Sequence, residues 1–259
     1  MIVPKAYLKK LEGKSNAHLI TFNDGRDYVV KYLQPGFEKT LPNEWVSYCL
    51  ARFLNLPIPF AQLVEIPSDF SSQVPELVQI NTNKNQFASL FLPDCYNGHQ
   101  ISDINQISNH EILAGIILFD YWLCNKDRTR KNILLREEDE TSYYLSIIDH
   151  AEIFGSYNWQ LSDLEPLPEE LTKSATHQLM ALYINDEKYF KNQLDVIQKI
   201  PALLLEEIVE LIPDDWNVST DEKKGIVSTL LKRRKKVLPL LMNKFIKNVY
   251  RPLHNKKID

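Results

Sequence analysis

From Ile112 to Cys124 the sequence reads ILAGIILFDYWLC, and it runs directly into NKDRTRKN before turning apolar again at Ile133. An apolar run this short does not span a bilayer, and a carboxylate inside it, Asp120, needs partners once buried, so the segment predicts a core helix. A cluster of Asn, Asp, Arg and Lys caught between two segments that both seek burial is held still from either side. Any fold of this chain has to satisfy that constraint.

Upstream, the pattern is that of strands. AYLKKLE, AHLITF and DYVVKYL alternate apolar with polar residues between Lys5 and Leu33. GKSN and the turn formers Asn23, Asp24 and Gly25 separate them, which predicts a three-stranded antiparallel meander. LPNEWVSYCLARFLNLP changes to a helical period and predicts a helix from about Pro42 to Leu54, stopped by Pro57 and Pro59. IPFAQLVEI and FASLFL add two strands, so residues 1–92 are expected to form a small sheet with one helix. Beyond Pro93 the chain turns mainly helical. NILLRE and YYLSIID flank the acidic turn EDETS as a hairpin, and helices are expected near residues 173–185, 188–195, 202–212 and 222–248. The fold class is α+β, with a β-rich lobe (1–92), a helical lobe (93–259) and a cleft between them suited to a small ligand.

A chain of 259 residues with 44% hydrophobic and 25% charged residues buries a sizeable core, which excludes disordered and fibrous classes. Its net charge of −4 supplies no global attraction to nucleic acid or acidic lipid. Cys49, Cys95 and Cys124 are scattered and odd in number, so they read as buried thiols and not as a disulfide framework or zinc site. MIVPKAYLKKLEGKS lacks the apolar core of a signal peptide, and no run is long enough for a transmembrane segment, so a cytoplasmic protein is expected.

The polar cluster carries the chemistry. Asp127 and Asn132 frame a short loop before a strand, and IIDH ends the partner strand with Asp149. Outer ends of paired strands lie close together, so Asn132 and Asp149 are expected beside Asp127. Two carboxylates and an amide oxygen facing one spot suit magnesium, although Asp and Asn also serve as turn caps.

The motifs NKDRTRKNILL and IIDH resemble the Asn-x-Asp-Arg-x-x-x-Asn and hydrophobic-hydrophobic-Asp motifs of the HipA-like and phosphoinositide-kinase-like branch of the protein kinase fold. The resemblance covers roughly residues 10 to 155. It implies a bilobal protein-kinase-like fold and transfer of a phosphoryl group from ATP to a hydroxyl. By this resemblance Asp127 is the catalytic aspartate, and Asn132 and Asp149 hold Mg²⁺ against the ATP phosphates. Lys31 in YVVKYL matches the lysine on the α- and β-phosphates, and Glu44, near the start of the expected helix, matches its partner. A strand-edge lysine and a helix-start carboxylate are the bland readings of those two residues. The loop EGKSNAH stands where a phosphate loop belongs, with Gly13 as its one glycine; Ser15, Asn16 and the backbone amides are the candidate phosphate contacts.

The sequence also departs from the common kinase pattern. Asn125 replaces the usual histidine, Thr129 stands where the branch often has histidine, and Asp149-His150-Ala151 replaces Asp-Phe-Gly. No Ala-Pro-Glu segment is recognisable, so control by activation-loop phosphorylation is not implied. Asp120 is expected to pair with Arg128 or to accept from the loop backbone. HipA-like relatives point to a protein serine as acceptor, while lipid or small-molecule acceptors, a pseudokinase and a metal-dependent phosphohydrolase stay open. The basic stretch KRRKKVLPLLMNKFIKNVYRPLHNKK is either a solvated helix face or a contact for an anionic partner.

Overall fold

The computed structural model describes residues 2–80, 83–101, 103–167 and 169–255. Strands β1 (Pro4–Lys10), β2 (Ala17–Phe22) and β3 (Asp27–Lys31) form the expected meander. Helix α1 (Thr40–Phe53) follows, then β4 (Ala61–Val64), the short helices α2 (Ser68–Ser71) and α3 (Pro75–Val78), and β5 (Gln86–Leu90). These strands pair antiparallel in the order β1-β2-β3-β5-β4. The one-helix expectation for residues 1–92 therefore falls short by two single-turn helices. The physical reason lies in the sheet's outer face, where Ile20, Phe22, Tyr28, Val30 and Ala88 need a cover that Val74 and Leu77 supply. Because side chains alternate along a strand, Val29 and Lys31 point the opposite way, into the cleft.

A second sheet holds β6 (Cys95–Asn97), β7 (Gln106–Ile107), β8 (Ile133–Asp139) and β9 (Ser142–Ile147) in the order β6-β8-β9-β7. β8 and β9 are the expected hairpin, whereas β6 and β7 are too short to show an alternating pattern. Between β7 and β8 the chain forms α4 (Leu113–Leu123), every residue of which is buried. A helix apolar on all sides belongs in the centre of a core. Helices α5 (Ala175–Ala181), α6 (Lys188–Lys199) and α9 (Leu238–Phe245) pack against α4, and α7 (Ala202–Glu210), α8 (Thr220–Lys232) and α10 (Arg251–Asn255) complete the helical part. Across the molecule, Asp215 accepts from the backbone and side-chain amides of Asn85 at 2.9 and 2.8 Å, and Trp216 Nε1 donates to Asn85 O at 2.8 Å. These bonds fasten the approach to β5 onto the helical part.

The expected helix over 222–248 is longer and less regular. Residues 220–255 run as one rod in which π-helical turns, Arg233–Val237 and Ile246–Tyr250, precede Pro239 and Pro252. Proline lacks the amide that an α-helical turn requires and crowds the preceding carbonyl, and a widened turn relieves both. The basic stretch also needs correction. Arg233 and Arg234 are buried, donating to the carbonyls of Trp122 and Leu164 and of Ile200 respectively, so these two arginines face no anionic partner. Lys235, Lys236, Lys244 and Lys247 are exposed, and Lys256 and Lys257 lie outside the described residues. Of the three thiols only Cys124 is buried; Cys49 and Cys95 are partly exposed. Among the described residues no helix is long and apolar enough to cross a membrane.

Asp120 is wholly buried in α4 and meets Arg128 through two bonds, Nε to Oδ2 at 2.9 Å and a terminal nitrogen to Oδ1 at 3.1 Å. Asn125 Nδ2 donates to Oδ1 at 2.8 Å, and His177 Nε2 from α5 lies 2.8 Å from Oδ2. Burial opposes ionisation, but Arg128 and His177 outweigh it and hold the Asp120 carboxyl well below the usual range. Removing the carboxylate leaves Arg128 charged without a counter-ion, so Asp120→Ala is expected to lower unfolding free energy by about 3–5 kcal/mol in urea titrations. A carboxyl whose pKa is depressed on folding stabilises above its unfolded value near ~4 and loses that contribution as pH falls through the folded value. Urea midpoints are therefore expected to drop below about pH 4 in the parent chain, with a shallower drop in Asp120→Asn.

Candidate active site

A cleft of about 1160 Å³ opens between the five-stranded sheet and the β8–β9 hairpin. Val29, Ala61 and Phe87 line it from one side and Leu134 and Ile148 from the other, giving an apolar slot. None of these was singled out in the sequence, although Val29 shares a strand face with Lys31 and Leu134 and Ile148 flank the motif residues. The slot ends in a charged group formed by Lys31, Glu44, Asp127, Asn132 and Asp149.

Lys31 is 6% exposed and its ammonium bridges two carboxylates, Glu44 Oε1 at 2.5 Å and Asp149 Oδ1 at 2.8 Å. Burial works against its charge, but Asp149 and then Glu44 more than offset this and hold its pKa above the ordinary lysine value. Burial and the neighbouring Asp149 push Glu44 up to about 6 against the pull of Lys31. For Asp149, burial would raise the pKa, yet Lys31 brings it down to about 2. Helix α1 starts at Thr40, so Glu44 stands beyond the first turn and its position answers to Lys31, not to the helix end.

The hairpin register sets Ile133 opposite Ile147, and Ile148 N donates to Asn132 O at 3.1 Å. Asn132 and Asp149 therefore leave the paired strands side by side. Asp149 turns into the left-handed region at φ 57, and its side chain is 32% exposed toward the cleft. On the loop, Asn132 Nδ2 donates to Asp127 O at 2.5 Å and to Asp127 Oδ2 at 3.0 Å. With its nitrogen committed to Asp127, Asn132 has its amide oxygen left to offer a cation. An amide oxygen beside a partly exposed carboxylate is a hard-oxygen pair that fits Mg²⁺, which completes its shell with phosphate and water.

The turn between β1 and β2 reaches the cleft through Glu12, Gly13, Lys14 and Ser15. Gly13 has φ 135, a conformation side chains disfavour, which explains glycine there. Asn16 adopts φ 46 where the turn re-enters β2, outside the residues that line the cleft, while Ser15 lies inside them. A residue the sequence did not reveal is Asn43. Its Nδ2 donates to Ala151 O at 2.7 Å and Ser156 O at 3.0 Å, and its Oδ1 accepts from Trp159 Nε1 at 2.9 Å. His150 N donates to Glu44 Oε1 at 3.1 Å. Together these bonds tie α1 to the segment after Asp149.

A model of the HipA-like kinase family matches residues 5–248. No curated protein matches the sequence. Among solved structures the chain is similar to the Helicobacter pylori proinflammatory kinase CtkA, with 15% identity and a TM-score of 0.62 over 96% of this chain and 97% of that one. It is also similar to the Golgi casein kinase with Mn and ADP bound, with 13% identity and a TM-score of 0.54 over 96% of this chain and 76% of that one. Likeness at such identities speaks for the fold alone, and that fold is the α+β, kinase-like one. The family match spans nearly all of the chain, which therefore belongs to the HipA-like kinase family and is a phosphotransferase.

Proposed function

We propose that this kinase moves the γ-phosphoryl group of ATP, with Mg²⁺, to the hydroxyl of a protein serine or threonine. The observation that carries the reading is the buried Lys31, whose ammonium meets both Glu44 and Asp149 in the cleft that Asp127 and Asn132 also line. In this reading residues 1–92 are the nucleotide-binding lobe and residues 93–259 the lobe bearing the catalytic loop. The apolar slot takes the base, and Lys31 turns from Asp149 toward the α- and β-phosphates while Glu44 keeps it in place. Ser15 and the backbone of its turn meet the outer phosphates, with Asn16 shaping that turn.

Asn132 and Asp149 would hold Mg²⁺, which when bound neutralises phosphate charge and orients the phosphate oxygens. Asp127 orients the acceptor hydroxyl and takes its proton as that oxygen bonds to the γ-phosphorus. The bond from γ-phosphorus to the bridging oxygen breaks, and ADP leaves with its electron pair. Phosphoryl transfer needs positioning and charge neutralisation more than covalent help, which this set of residues supplies. A protein acceptor is favoured because the structurally similar Golgi casein kinase is named for a protein substrate. Free thiols at Cys49, Cys95 and Cys124 suit the reducing cytoplasm.

Incubation with Mg²⁺, γ-labelled ATP and dephosphorylated casein is expected to place label on serine or threonine. Asp127→Ala is expected to lower kcat by about 10²- to 10⁴-fold, the usual worth of a positioned base. Lys31→Ala, which removes one charge from the phosphates, is expected to cost about 10²- to 10³-fold. A parent chain that bound no ATP would overturn the reading, and label appearing only on phosphoinositide or a small alcohol would replace the protein acceptor.

A further inference from the structure

Arg128 sits next to Asp127 but faces away from the cleft, fully buried. Its guanidinium carries five N–H donors, and all five are engaged. Nε and one hydrogen of a terminal nitrogen go to Asp120, and the other hydrogen of that nitrogen meets His150 Nε2 at 2.8 Å. The second terminal nitrogen donates to Asn132 O at 2.8 Å and to Ile148 O at 2.9 Å. One rigid, planar group thus grips the backbone of Asn132, the backbone immediately before Asp149 and the side chain immediately after it. A guanidinium can only donate, so His150 Nε2 is the acceptor of that bond. Ser174 Oγ donates to Arg128 O at 3.1 Å and fixes the residue from the side of α5.

The β8–β9 register brings Asn132 and Asp149 side by side, with one backbone bond, Ile148 N to Asn132 O, just past the end of β9 at Ile147. Beyond that bond Asp149 turns out of the sheet at φ 57, and the guanidinium ties the Asn132 carbonyl, the Ile148 carbonyl and the His150 ring to one plane. We infer that Arg128 is a positioning residue that sets the separation of Asn132 and Asp149, and through it the affinity of the site for a divalent cation. The inference rests on the proposed assignment of those two residues as cation ligands. Lysine cannot substitute, because a tetrahedral ammonium has three donors and no planar fork to span both carbonyls.

The test compares the parent with Arg128→Lys, which keeps the charge beside Asp120. The double variant Asp120→Asn with Arg128→Met removes both charges and leaves no unpaired buried ion. It stands in for Arg128→Lys if that single variant does not fold. Three quantities are read on the full chain: melting temperature, Mn²⁺ affinity in the presence of ADP by electron paramagnetic resonance, and Mg²⁺-dependent label transfer from ATP. Variants that stay folded are expected to bind Mn²⁺ about 10- to 100-fold more weakly, the usual effect of disturbing groups that orient metal ligands. Their half-maximal Mg²⁺ for transfer is expected to rise in proportion. Unchanged Mn²⁺ affinity with a lowered melting temperature would show a merely structural arginine and overturn the inference. A parent that binds Mn²⁺ with ADP but transfers no label would overturn the transfer reading alone, and the affinity shift would still decide the role of Arg128. A parent that binds no Mn²⁺ with ADP would overturn both.

Discussion

Arg128 lies wholly buried with Asp120 set against it, and Asp120 stays ionised in an apolar helix because Arg128 and His177 outweigh the cost of its burial. Each charge removes the cost of burying the other, and neither is tolerable alone. The pair has geometric consequences. It anchors the end of α4, where Asn125 N donates to Asp120 O at 2.8 Å and Cys124 turns left-handed at φ 55. From that anchor the loop carrying Asp127 and Asn132 has little freedom. Ion pairs of this kind contribute less to net stability than to specifying a single arrangement, and here the arrangement specified is the candidate site.

A comparable restraint acts on α1 from the opposite side. Asn43 grips the segment after Asp149, Lys39 pairs with Glu222 at 2.6 Å and lies over the Trp159 ring, and Phe37 stacks on Tyr157 at 4.3 Å. The Lys31–Glu44 pair, which in the proposed reading has to be in place for phosphoryl transfer, is thereby backed by aromatic packing, hydrogen bonds and the Lys39–Glu222 ion pair. The bonds from Asp215 and Trp216 to Asn85 add a third fastening between the parts of the molecule on either side of the cleft.

What the sequence made legible follows from periodicity. Alternation places β1 to β5 and the β8–β9 hairpin correctly, and the hairpin brings Asn132 beside Asp149 because register is a local property of paired strands. Lys31 facing the cleft follows from the same parity. Asn43, His177 and the grip of Arg128 on the ends of the loop and strand stayed hidden, because their partners lie far away in the chain and nothing local marks them. Arg233 and Arg234 misled for the opposite reason. A run of basic residues suggests a solvated or anion-seeking face, yet each of the two reaches backbone carbonyls inside the helical core, and charge counting has no access to that. The same holds for α2 and α3, whose sequence gives no strong helical period and whose existence depends on the apolar sheet face they cover.

The charge inventory of the inner cleft bears on what it is built to receive. Among the described residues at its inner end, Glu44, Asp127 and Asp149 lie around one buried cation, Lys31, while the half-buried Glu152 and the exposed Lys14 and Lys131 also line the cleft. Three carboxylates around one ammonium form a poor receptacle for a bare triphosphate, since like charges would be forced together in a partly desolvated slot. The imbalance disappears if a divalent cation enters with the phosphates, because its charge satisfies Asp149 and frees Lys31 for the nucleotide while Glu44 still holds it. In the proposed reading the excess of negative charge would favour a metal-bound nucleotide over a free one, with the Lys31–Asp149 contact the one that exchanges.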